Sequence, residues 1–228
     1  MDFPGLAARI AVIQAAIAER QQRAGLNHPV TIVAVTKNHG PDAVRAAAAA
    51  GLRAVGENRV QEALAKMPEA ADVPVEWHLI GSLQRNKVKQ VVGRFALVHS
   101  IDRLELAEEF ARRIPSGIRQ RVLVEVNCGG ESQKAGVLPE SLPGLLEALA
   151  ELPQLTVDGL MTMAPFTSDE AVQRSTFRRL RTLRDEAEQQ GHRLPHLSMG
   201  MSGDYGVAVE EGATMVRLGT ILFGERVQ

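Results

Sequence analysis

The sequence predicts a closed (β/α)8 barrel with an extra helix at its amino terminus. Three observations carry that expectation. Short segments rich in Val, Ile and Leu alternate eight times with amphipathic segments of helical period. They recur at intervals of roughly 20 to 40 residues, the repeat length of strand and helix in such a barrel. No composition break, low-complexity stretch or linker interrupts the 228 residues, so one domain over 1–228 is expected. A doubly wound open sheet is the alternative arrangement of the same alternation.

Residues 2 to 24 place Leu6, Ile10, Ile13 and Ile17 at helical spacing, with Arg9, Glu19, Arg20 and Arg23 on the other side. This is the extra helix, ended by Asn27-His28-Pro29. Val30 to Thr36 is the first strand, apolar on both faces as parallel strands covered by helices are, with Lys37 at its end. An alanine-rich helix from Asp42 closes at Gly51. The second strand is Ala54 to Asn58, and the helix after it Arg59 to Met67. Val75 to Ser82 is the third strand, followed by a helix over Gln84 to Val92 whose Arg85, Lys87 and Lys89 form a solvated face. Ala96 to Ser100 is the fourth strand, and Asp102 is placed to cap a helix from Arg103 to Ile114.

Arg121 to Asn127 (RVLVEVN) alternates as a fifth strand, with a helix at Leu138 to Glu151. Thr156 to Met163 is the sixth strand. The long helix Asp169 to Gln190 has a core stripe of Phe177, Leu180 and Leu183. Its Arg174, Arg178, Arg179, Arg181 and Arg184 lie among Asp185, Glu186 and Glu188, as on a solvated face. Pro195 to Met201 is the seventh strand, a short helix runs from Ser202 to Glu211, and Thr214 to Phe223 is the eighth strand.

Composition narrows the function classes. A formal net charge of −1 argues against a nucleic-acid partner, which calls for a basic surplus. The single cysteine, Cys128, cannot form an intrachain disulfide, which suits a reducing compartment. There is no targeting segment and no apolar run long enough to span a bilayer, so a soluble cytoplasmic protein without membrane partners is expected. The six histidines show no ligand spacing with Cys128, so no metal site is expected.

In a barrel all strand carboxyl ends share one rim, where active sites form. Those ends carry Lys37, Asn58, His78 with Ser82, Ser100 with Asp102, Asn127, Met161 with Met163, Ser202, and Arg217 with Gly219-Thr220. Strand alternation puts Lys37 on the face of Val35, Val33 and Thr31. A lysine stem among apolar groups loses its proton more readily and becomes a nucleophile for carbonyl cofactors. The plain alternative is a lysine that reaches out to water. Small phosphates bind after strands seven and eight of such barrels. There Ser198-Met199-Gly200-Met201-Ser202-Gly203-Asp204 and Leu218-Gly219-Thr220 offer hydroxyls and close backbone approach. Arg217 sits in an apolar strand and needs a specific acceptor, a ligand or a carboxylate such as Glu57 or Glu125.

Seven motifs in order add a resemblance: AVTK at 34–37, GENRVQE at 56–62, WHLIGSLQRNK at 77–87, VHSID at 98–102, GLMTM at 159–163, LSMGMSGDY at 197–205 and VRLGTILFG at 216–224. Across essentially its whole length the sequence resembles the YggS/PROSC family of pyridoxal phosphate (PLP) homeostasis proteins. The resemblance implies a barrel like the amino-terminal domain of alanine racemase (PLP fold type III), with PLP as a Schiff base on the lysine that matches Lys37. It further implies phosphate contacts at Ser202, Gly219 and Thr220, a pocket wall at Asn58, Met201 among the cofactor-binding residues, and Arg217 facing the pyridine nitrogen. Asn38-His39 and Gln133-Lys134 match no role as clearly.

A cation beside the ring nitrogen keeps it unprotonated and weakens the electron sink that PLP catalysis needs. Racemisation also needs a second base, which alanine racemases take from a further domain, whereas this sequence stops soon after strand eight. Its one tyrosine, Tyr205, reads as structural. The expected function is therefore a non-catalytic monomer that holds PLP and buffers or delivers it, with apo PLP-dependent enzymes as recipients. The alternative is a PLP-dependent amino-acid racemase.

Overall fold

In the computed structural model, which describes residues 3–131 and 135–224, eight parallel strands close into a barrel in sequence order. The strands are β1 (Thr31–Val35), β2 (Ala54–Glu57), β3 (Glu76–Leu79), β4 (Leu97–Ile101), β5 (Gln120–Glu125), β6 (Leu155–Met161), β7 (His196–Ser198) and β8 (Met215–Leu218). Closure is made by β8 against β1, in register from Thr31 opposite Met215 to Ala34 opposite Leu218. The helices are α1 (Leu6–Arg23), α2 (Pro41–Ala49), α3 (Val60–Glu69), α4 (Val88–Val91), α5 (Leu104–Arg113), α6 (Leu142–Ala150), α7 (Glu170–Gln189), α8 (Tyr205–Glu210) and α9 (Thr220–Phe223).

Strand alternation sorts side chains into two cores. Val33, Ala54, Leu97, Leu123, Met161 and Met215 point inward and fill the barrel. The opposite faces pack against the helices as one continuous apolar layer. Leu6, Ile10, Ile13 and Ile17 bury one stripe of α1. Two of its arginines also work: Arg9 Nε donates to Leu222 O at 2.9 Å, and Arg20 Nη1 pairs with Glu210 Oε1 at 2.7 Å. The extra helix is thereby tied to α8 and α9, the last elements of the barrel. His39 joins Phe3 and Phe223 in an aromatic cluster with ring centroids 5.1–5.6 Å apart, at the start of α1 and the end of α9.

Several boundaries differ from the sequence reading. The eighth strand ends at Leu218, and Thr220–Phe223 turns into a short helix. The β1–β8 ladder ends with Ala34 opposite Leu218, and the next amide, Gly219 N–H, turns to Ser202 Oγ instead of extending it. The amides of Leu222 and Phe223 bond back to Gly219 O, each at 2.9 Å. An apolar run of this length has no periodicity that separates strand from buried helix. Asp102 does not cap α5; its carboxylate takes the guanidinium of Arg103, and that helix has no side-chain cap. The helix expected after strand three splits into a 3-10 turn over Arg85–Lys87 and the short α4.

The arginine face of α7 is not simply solvated. Arg174, Arg178 and Arg181 converge on Glu211, which is 3% exposed, and Arg174 also reaches Glu210 at 2.6 Å. Burial pushes the Glu211 carboxyl up, but these guanidinium contacts outweigh it and hold its pKa below the ordinary value. Within α7 itself Arg184 reaches Asp185 and Glu188. No helix among the described residues is long and apolar enough to cross a membrane.

Candidate cofactor site

Above the carboxyl ends of the strands lies a cavity of about 550 Å³. Lys37, Asn58, Met201, Ser202, Arg217, Gly219 and Thr220 all line it, although they come from four separate stretches of chain. The barrel brings them together because each follows or ends a strand.

Lys37 lies two residues past β1, half-buried, on the inward face shared with Val33 and Val35. Its backbone is clamped from both sides. Thr36 O accepts from Lys66 Nζ at 2.9 Å, and Thr36 Oγ1 donates to Glu57 Oε1 at 2.6 Å. Lys66 and Glu57 pair at 2.6 Å, with side-chain exposures of 5% and 0%. Asn38, in the left-handed region at φ 62°, donates its N–H to the Glu62 carboxylate.

The loops after β7 and β8 meet at Ser202. Its Oγ accepts from the N–H groups of Gly219 and Ile221, each at 3.4 Å, so the first turn of α9 and the β7 loop form one rim. Gly200 permits this path. Its φ of 90° is left-handed, and a Cβ there would come within 2.6 Å of Ala208 Cβ. Gly81 does the same at the wall: a Cβ would meet Asn58 O at 2.3 Å.

Arg217 is 4% exposed and held by oxygens beneath it. Nη1 donates to Ser198 O at 2.8 Å and Ser198 Oγ at 2.7 Å, and Nη2 donates to Thr162 O at 2.9 Å. A guanidinium has five N–H donors, so two remain for the cavity. Burial pulls its pKa down to about 10 while Asp204 and Glu125 push it up, so the group stays cationic at neutral pH. Of the two carboxylates weighed as structural ion-pair partners, Glu57 pairs with Lys66, and Glu125 acts on Arg217 through its charge, without a salt bridge among the described residues.

Of the other expected rim residues, Ser82 and Met163 also line the cavity, while His78, Ser100, Asp102, Asn127 and Met161 do not. His78 lies at the opposite mouth of the barrel, with Arg53, Arg121 and His196. Ser100 Oγ donates to Gly81 O at 2.8 Å, and Asn127 ties its own loop through Glu131 O and Gly130 N. Met161 fills the barrel core. Gln133 and Lys134 lie outside the described residues.

The alanine racemase N-terminal domain family matches residues 10–227. A pyridoxal phosphate homeostasis protein of Aquifex aeolicus (strain VF5) is 50% identical over 86% of this chain and 86% of its own. One from Pseudomonas aeruginosa is 45% identical over 97% of this chain and 96% of its own. The chain belongs to the pyridoxal phosphate homeostasis protein family. A solved relative of this family member, PipY of Synechococcus elongatus PCC7942 with PLP bound, is 41% identical and superposes with a TM-score of 0.80. The match covers 91% of this chain and all of PipY.

The donor set of this homeostasis-family chain fits PLP. An amine, Lys37, suits the aldehyde. The Ser202 hydroxyl and the adjoining amides suit the phosphate, and a cation with spare N–H groups suits a ring nitrogen that accepts a hydrogen bond.

Two acids at this site escaped the sequence reading as site residues. Asp204 accepts from Met201 N–H and is pushed up by burial. Glu125, the last residue of β5, is 2% exposed and lines the cavity. Its signal was available: alternation places Glu125 inward directly above Leu123. Burial, then the charge of Asp102, push its carboxyl up to about 7, against the pull of Arg217. A raised acid favours folding fully below its unfolded value of 4.5, and that contribution is lost as pH rises through about 7. In the cofactor-free protein Glu125→Gln should therefore gain about 2–3 kcal/mol over wild type at pH 8 and almost nothing at pH 4. Urea unfolding at both pH values checks this; an equal difference at both would sink it.

Proposed function

We propose that this protein holds PLP in the rim cavity, covalently on Lys37, and buffers or hands it on within the cytoplasm to apo PLP-dependent enzymes. It does so as a monomer and without turning over amino acids. The observation that carries this reading is the convergence of Lys37, Ser202 and the buried cation Arg217 on one cavity. The family relationship favours it over racemisation.

Each chain group has a part. Lys37 would hold the ligand's aldehyde carbon through its amine, a reversible covalent anchor. Ser202 and Thr220, with the amides of Gly219 and Ile221, hold the phosphate. Arg217 would offer its N–H groups to the ring nitrogen and disfavour its protonation, while Asn58 and Met201 wall the cavity. PLP supplies the aldehyde and a conjugated ring that acts as an electron sink most strongly when its nitrogen is protonated. Arg217 withholds that proton.

Ser202→Ala should weaken PLP affinity by about 1–3 kcal/mol, the loss for a hydrogen bond to a charged group. Pyridoxal, which lacks the phosphate, should bind wild type and variant equally. Equal PLP affinity in wild type and a Ser202→Ala/Thr220→Ala double variant would remove the phosphate site. Incubating the PLP-loaded protein with L-alanine should yield no D-alanine; rapid appearance of the D-enantiomer would promote the racemase reading.

A further inference from the structure

Beneath Arg217 the barrel interior is not wholly apolar. Ser198 Oγ, which accepts from Arg217 Nη1 at 2.7 Å, lies 2.9 Å from His99 Nδ1. His99 Nε2 lies 3.1 Å from His78 Nδ1. Ser198 and His99 are 0% exposed and His78 is 3% exposed. At the far end His78 Nε2 is buried without a hydrogen-bond partner, 3.9 Å from the nearest oxygen of Glu76. A single file of polar atoms thus runs from the rim cavity to the opposite mouth.

We propose that His99, acting through Ser198, is a positioning residue that holds Arg217 toward the cofactor ring, and that the file has one direction of hydrogen donation, set by Arg217. The part concerning the ring rests on the PLP reading above; the direction of the file does not.

The direction follows from donor counting. A guanidinium only donates, so Ser198 Oγ accepts from it. The serine has one O–H left, in a fully buried position, and His99 Nδ1 is the acceptor within reach. His99 then carries its proton on Nε2 and donates to His78 Nδ1, which places the His78 proton on Nε2 at the opposite mouth. The reverse order would leave the serine O–H unpaired and still leave His78 Nε2 without a partner, so it is the poorer arrangement.

Both rings are neutral, as the file requires. Burial pulls His78 down to about 4, helped by Arg121 and His196. Burial likewise holds His99 well below the ordinary range, with His78, Arg217 and His196 adding to it. A cationic His99 would donate to Ser198 and repel Arg217; an apolar side chain would leave the serine hydroxyl free to turn. Neutral imidazole avoids both faults. It leaves Arg217 backed by acceptors alone, so its two remaining N–H groups serve the cavity.

The first test uses wild-type, cofactor-free protein. Long-range proton–nitrogen correlation spectra at pH 7 should show both His99 and His78 with the proton on Nε2 and a bare Nδ1. A proton on Nδ1 of His99, or a cationic ring, overturns the proposal. This readout needs neither a variant nor PLP. The second test loads the protein with PLP labelled with nitrogen-15 in its ring and follows ring-nitrogen protonation against pH. His99→Phe, which removes the acceptor, should raise the midpoint by about one pH unit, a tenfold change. His99→Asn, whose amide oxygen can replace Nδ1 as acceptor, should keep the wild-type midpoint. A folded His99→Phe protein with an unchanged midpoint overturns the positioning role. Failure of PLP to attach at Lys37 would count against the cofactor reading alone, because the spectra of the cofactor-free protein stand apart from it.

Discussion

Lys37→Ala should abolish the adduct that borohydride traps when PLP is added, with the fold intact. The expected loss is complete, because among the described residues no other side chain lining the cavity supplies an amine. The fold should survive because the Lys37 side chain is only half-buried. The clamp around it works through the backbone of Thr36 and Asn38 and needs no lysine side chain at 37. Peptide mapping of the reduced wild-type protein should place the modified residue at 37. An adduct on Lys87 or Lys134 would transfer the proposed anchor elsewhere. Circular dichroism of the variant should match wild type, so that loss of the adduct reports chemistry rather than unfolding.

Lys66→Met should carry the largest stability effect. Lys66 Nζ reaches both Glu57 Oε1 at 2.6 Å and Thr36 O at 2.9 Å from a site 5% exposed. Burial pushes the Glu57 carboxyl up, while Lys66 and Thr36 pull it back. Removing the lysine leaves a carboxyl that is 0% exposed without its cation, and breaking one side of a buried pair costs about 3–5 kcal/mol. Adding Glu57→Gln removes the uncompensated charge and should recover part of that loss, since the amide oxygen can still accept from Thr36 Oγ1. Urea unfolding of the single and double variants measures both steps. A Lys66→Met protein within about 1 kcal/mol of wild type would mean the pair is not the anchor of this corner.

The barrel and most of the cavity were legible in the sequence. Eight strands and their order follow from periodicity, and the rim argument then gathers Lys37, Asn58, Ser202, Gly219 and Thr220 without further information. His78 shows where that argument stops. It reads as a rim residue because it precedes a small polar stretch, yet the closed barrel places it at the opposite mouth, with its ring against His99. The segment Thr220–Phe223 shows the second limit: its apolar run fits strand or helix, and only the end of the β1 ladder decides.

What the sequence alone determined is what local pattern encodes: which segments are strands, which face of each is apolar, and which residues stand near strand ends. What the tertiary structure decided is the choice of partner. Arg217 takes Thr162 O, 55 residues away, rather than Glu57. His99 meets Ser198 across 99 residues, and Arg174, Arg178 and Arg181 of α7 turn to Glu211. Arg217, His99 and Arg174, Arg178 and Arg181 of α7 each had several chemically acceptable partners in the sequence, whereas Arg184 keeps to Asp185 and Glu188 of its own helix. Barrel register and depth of burial select among them, because a buried donor is bound to whichever acceptor the closed sheet brings within 3 Å or so and is denied water.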